Sequence, residues 1–82
     1  MEKVTFNKKK PEISVNINGD KFVIKFELND PDWSDVVENI MNFEMSNDEE
    51  EQFMILYRLL QYKETKPLAI ALLKSFTDDV VG

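Results

Sequence analysis

The side chains with chemical potential in this 82-residue chain are carboxylates, lysines and four serines; it has no histidine and no cysteine. Catalysis near neutral pH usually recruits an imidazole, a thiol, an activated serine or lysine, or a metal. Ser14, Ser34, Ser46 and Ser75 have no imidazole to activate them. Two carboxylates can divide acid and base work between them, but a chain this short has little volume for both a core and a substrate cleft. No catalytic residue is assigned, and the expectation is a protein that binds and is not an enzyme. Asp30, Asp32 and Asp35 have part of the spacing of a calcium loop, yet lack its glycine and its closing bidentate glutamate. Helix capping accounts for them, so neither a metal nor a cofactor is expected.

Charge narrows the partner. Residues 1–26 hold six lysines against three acids, and residues 27–82 hold four bases against thirteen acids, so the two parts carry +3 and −9. Between Glu27 and Glu51 there are ten acids and no base, a surface that repels a phosphate backbone. Direct nucleic-acid binding is therefore not expected. Lys8, Lys9 and Lys10 are too few to argue for a membrane and suit a solubilised strand edge. No stretch has the roughly 18 apolar residues a bilayer span requires, and the opening Met-Glu-Lys-Val-Thr-Phe has no apolar signal core. With no cysteine either, the expected location is the cytoplasm.

The elements that must position these groups follow from periodicity. The composition, 43% hydrophobic and 32% charged, suits one globular domain spanning residues 1–82. Val4 and Phe6 are spaced as in a strand, so residues 1–10 read as a short strand or a tether, ended by Pro11. Across residues 11–28 alternation is nearly strict, with Ile13, Val15 and Ile17 on one side, then Phe22, Ile24, Phe26 and Leu28. Asn18-Gly19-Asp20 supplies the turn of a β-hairpin. A two-residue loop is required to keep one face apolar. Asn18-Gly19 would set Val15 opposite Phe22 and Ile13 opposite Ile24; Gly19-Asp20, the preferred frame, would set Val15 opposite Ile24 and Ile13 opposite Phe26.

Residues 30–82 form the helical part. Asp30 as N-cap and Pro31 at the first position open a helix whose stripe is Trp33, Val36, Val37, Ile40 and Met41, with Trp33 and Met41 expected in the core. Ser46-Asn47-Asp48-Glu49 matches a capping box and opens a second helix. There Phe53, Leu56, Tyr57 and Leu60 make the main stripe, while Met54, Ile55 and Leu59 spread apolar character nearly all round. That excess predicts self-association or a protein partner on the second helix. The candidate partner-binding residues are Met45, Met54, Ile55 and Leu59, with Glu49, Glu50 and Glu51 as either an interaction patch or a solvated first turn. Thr65-Lys66-Pro67 breaks the pattern before a third helix whose Ala69, Leu72, Leu73, Phe76 and Val80 share a face. The expected fold class is α+β: an N-terminal antiparallel hairpin, with room for a third short strand, packed on about three helices.

The hairpin from Ile13 to Phe26 around Asn18-Gly19-Asp20, followed at the end of the chain by Phe76-Thr77-Asp78-Asp79-Val80-Val81-Gly82, resembles the small tail assembly chaperones of long-tailed bacteriophages. The resemblance covers about a third of the chain. It implies a non-enzymatic accessory protein of the host cytoplasm that coats a helical, aggregation-prone partner, the tape measure protein, until the tail tube forms. A second reading, from charge alone, is an acidic phage-type inhibitor of the anti-restriction or anti-CRISPR class, whose carboxylates occupy a nucleic-acid-binding groove on a target protein.

Overall fold

A computed structural model describes residues 2–81, with side chains described for residues 3–76. Three strands precede three helices: β1 Glu2–Asn7, β2 Glu12–Ile17, β3 Asp20–Lys25, α1 Trp33–Met45, α2 Glu49–Leu59 and α3 Lys66–Val81. The fold is α+β, with an antiparallel sheet in the order β1-β2-β3. The first segment is a strand, not a tether. It joins β2 through a tight turn in which the Asn7 side-chain oxygen accepts from the backbone N–H groups of Lys9 and Lys10 at 3.1 and 3.3 Å. The β1 edge is irregular: its register shifts between Glu2 and Thr5, where Lys3 adopts a φ of 47°. An extra residue taken up this way is a β-bulge.

The hairpin between β2 and β3 uses the Asn18-Gly19 frame. Ile13 lies opposite Ile24, Val15 opposite Phe22 and Ile17 opposite Asp20. The preferred Gly19-Asp20 frame is therefore corrected by one residue on each side of the turn. The physical reason is the turn itself: φ is 51° at Asn18 and 88° at Gly19, the two positive values that a type I′ turn requires and that match the right-handed twist of the strands. Asparagine and glycine are the residues that reach those angles at least cost. Ile13, Val15, Ile17, Ile24 and Phe26 are buried and Phe22 packs beside them, so the expected inward face is the observed one.

Helix starts are later than capping chemistry alone suggests. Asp30 does not cap α1. Its Oδ1 accepts from the N–H of Asp32 at 2.9 Å, and a turn through Pro31 and Asp32 delays the helix to Trp33. Likewise Ser46 is not the cap of α2. Asp48 is, its side chain accepting from Glu50 N–H at 3.0 Å, while the Ser46 hydroxyl accepts from Asp48 N–H and lies 3.2 Å from a Glu51 carboxylate oxygen.

The core sits between the inner face of the sheet and the helices. α1 contributes Val36, Ile40 and Phe43; α2 contributes Ile55, Leu56 and Leu59; α3 contributes Leu68, Ala69 and Leu72. Phe76 of α3 reaches both other helices, with ring centroids 6.2 Å from Phe43 and 5.1 Å from Phe53. Val80 and Gly82, assigned to the end of the third helix by spacing, lie outside the described side chains and residues respectively. Between α2 and α3 the only buried polar residue of the described core, Thr65, donates its hydroxyl to the Leu59 carbonyl at 2.6 Å. That bond satisfies one of the carbonyls a helix end leaves without an internal partner. The Asn18 amide donates to the Ser75 hydroxyl at 3.4 Å, tying the hairpin turn to α3.

Candidate functional site

A helix packed on a core has one inward arc, and apolar side chains beyond that arc are free for other contacts. On α1 the inward arc is Val36, Ile40 and Phe43. Trp33, Val37, Met41 and Met45 recur every fourth residue and form a separate row along the helix. Trp33 and Val37 are half-buried at the margin of the core, whereas Met41 and Met45 are 47% and 78% exposed. The row floors a cleft of ≈ 360 Å³. One rim is the adjacent row Ser34, Glu38 and Asn42, and the other is Lys8 from the β1–β2 turn. A second hollow of ≈ 140 Å³ shares Trp33 and Lys8 and continues past Leu28 and Asp30, so Trp33 stands between the two. Leu28, which alternation assigns to the hairpin, lies beyond the end of β3 at Lys25 and is exposed.

Sequence spacing assigns Met41 to the core, and the structure corrects this: helical drift carries it away from Ile40 and onto the outward row. Phe43 takes its place inside. The i, i+4, i+7 spacing of Val36, Ile40 and Phe43 is the signal for that assignment.

The residues expected to bind a partner through the second helix do not lie together. Ile55 and Leu59 are buried in the core at 3% and 0% exposure, which removes them from any surface. Leu56 lies with them, and Phe53 and Leu60 are half-buried. Of the seven apolar residues between Phe53 and Leu60, only Met54 and Tyr57 are exposed. Most of the apolar crowding on α2 turns inward because the helix packs against both α1 and α3, leaving Met54 and Tyr57 outside. The helix therefore buries a wider arc than a face opposed to one neighbour would. Met45 belongs to the α1 cleft. Glu49, Glu50 and Glu51 form the exposed first turn of α2, where they suit the positive end of the helix dipole.

A separate cluster lies at the N-terminal end of α1. Carboxylate oxygens of Asp30, Asp32 and Glu64 lie within 4.8 Å of one another. One Glu64 oxygen is buried with no hydrogen-bond partner. Asp35, grouped with Asp30 and Asp32 by sequence, is not part of the cluster; Glu64 replaces it. Three carboxylates supply only part of the oxygen shell that calcium takes. Beside them, burial pushes the Tyr62 hydroxyl above its ordinary value, and the negative charges of Asp35 and Asp32 push it further, against a smaller opposing effect of Arg58.

Comparison of the chain with protein-family models, curated proteins and solved structures finds no match. No helix among the described residues is long and apolar enough to cross a membrane.

Proposed function

We propose that this chain is a non-enzymatic accessory protein that holds an apolar helical segment of a partner protein in the cleft along α1. The observation that carries the reading is the row Trp33, Val37, Met41 and Met45, whose outer members are exposed although the helix already has a complete inward arc. Tryptophan anchors interfaces and methionine adapts its shape to irregular partners. An apolar row beside a hollow is also the geometry by which helices dock into grooves. The tail assembly chaperones, which the hairpin and terminal helix resemble, do work of this kind, covering a helical partner while leaving the assembly soluble. The exposed acids of α1 and α2 suit the second requirement.

The acidic-inhibitor reading draws on the same exposed acids, including Asp35, Glu38 and Glu44 on α1 and Glu49, Glu50 and Glu51 on α2. The two readings separate in one experiment. A photo-crosslinking side chain at Met41, in cells where the protein is native, captures the partner on the chaperone reading. Met45→Glu then abolishes capture, and raising the salt does not. If capture survives Met45→Glu and is lost with salt or with Glu49, Glu50 and Glu51 changed to glutamine, the inhibitor reading replaces the first.

A further inference from the structure

The two rims of the α1 cleft carry opposite charges. Lys8 stands on the side of the sheet, and Glu38 stands on the outer helical row. Neither forms a salt bridge among the described residues. Lys8 also borders the hollow beyond Trp33, which places it towards the Trp33 end of the floor. The charges therefore stand on opposite sides of the Trp33-end half of an apolar strip about 20 Å long, the length of a helix of thirteen residues.

Resting on the reading that the cleft docks a helical segment, we infer that its occupant is an amphipathic helix with acids on one flank of its apolar stripe and bases on the other, and that the rims fix the direction in which it lies. Turning such a helix end for end exchanges its flanks. In one direction its acids face Lys8 and its bases face Glu38; in the other, like charges face each other on both rims. Uniformly charged flanks gain on one rim and lose on the other in either direction. A complementary pair of rims suppresses the wrong arrangement more than it adds to total affinity.

Trp33 is the only tryptophan in the chain and stands at one end of the cleft, so its fluorescence reports both binding and direction. The probes are four synthetic helical peptides with the same leucine stripe. Their flanks are lysine and glutamate, the mirrored arrangement, lysine on both sides, and glutamate on both sides, and each has a nitroxide quencher at its N-terminus. The mixed-flank peptides should bind about three- to tenfold more tightly than the uniform ones, as expected of two exposed charge pairs. One mixed peptide should quench Trp33 strongly and its mirror weakly, and Lys8→Glu combined with Glu38→Lys should exchange the two. Both side chains are exposed, so the exchanged protein should fold as the original does.

If all four peptides bind alike and Met41→Glu abolishes them all, the docking reading stands and the directional inference falls. If none binds, both fall. If the lysine-flanked peptide binds most tightly, acidic charge alone governs the face and the inference is overturned. It is also overturned if the protein self-associates in sedimentation and Met41→Glu reverses this, because a second copy is then the occupant.

Discussion

The ring of Trp33 stands edge-on to that of Phe26, with centroids 5.2 Å apart and planes at 83°. The contact joins the last buried residue after β3 to the first residue of α1, and it sets the wall of the cleft against the sheet. Edge-to-face pairs add to the value of the area they bury. Phe26→Leu should therefore cost about 1–2 kcal/mol in chemical denaturation, for lost volume and the lost ring contact. It should also shift Trp33 emission to the red and make the ring more accessible to a neutral quencher. An unchanged emission spectrum would show that Trp33 is held by something else.

The hairpin turn gives a second expectation. A Cβ at Gly19 would meet nothing within 4 Å, so the cost of Gly19→Ala is one of backbone conformation, not of collision. At a φ of 88° that cost should be about 1 kcal/mol. Asn18→Gly should be nearly neutral, because glycine reaches the same angle, although it gives up the bond to Ser75. Denaturation midpoints of the two variants check the ordering.

Thr65→Val keeps shape and burial but removes the hydroxyl that bonds the Leu59 carbonyl. The Leu59 carbonyl then keeps only the longer 3.4 Å bond from the Tyr62 N–H, at a cost of about 1 kcal/mol. Thr65→Ser retains the bond and should lose less. Equal losses for the two variants would assign the effect to packing.

Folding at alkaline pH should depend on Tyr62. Its folded-state value lies above the ordinary one, so the folded chain keeps a proton that the unfolded chain has released. Stability is then fully present below the ordinary tyrosine value and falls as pH rises towards and through the folded value. Asp35→Asn removes one cause of the elevation and should bring the Tyr62 titration down, as read by ultraviolet absorbance against a Tyr62→Phe control.

Asp30, Asp32 and Glu64 place three negative charges together, with one carboxylate oxygen buried and unbonded. Glu64→Gln removes one charge and adds an amide donor facing two acceptors. It should raise stability by roughly 0.5–1 kcal/mol, with the gain shrinking in high salt. A loss of stability that is independent of salt would mean that the carboxylate is serving the fold.

Sheet and helices are legible in the chain because alternation and helical spacing are local signals. The hairpin frame is not, because both loops bury Ile13, Val15 and Ile17 equally well and only the backbone angles of Asn18 and Gly19 separate them. Ile55 and Leu59 mislead for a related reason: a helix that is apolar all round does not disclose how many neighbours it has. The cleft requires the placement of Lys8 beside α1, and the acidic cluster requires Glu64 beside Asp30. Each joins segments distant in the chain, so no local pattern announces it.

The irregular backbone at Lys3 sets a limit on how copies of this protein can join. A sheet with two regular edges can be extended indefinitely, each copy templating the next. Here one edge is interrupted, while β3 offers an unbroken row of backbone groups flanked by Lys21 and Lys25. Strand addition through β3 can bring two copies together, but each then presents only its interrupted edge. A bulge of this kind disfavours further pairing, so the fault in the first strand works against continued growth from such a pair.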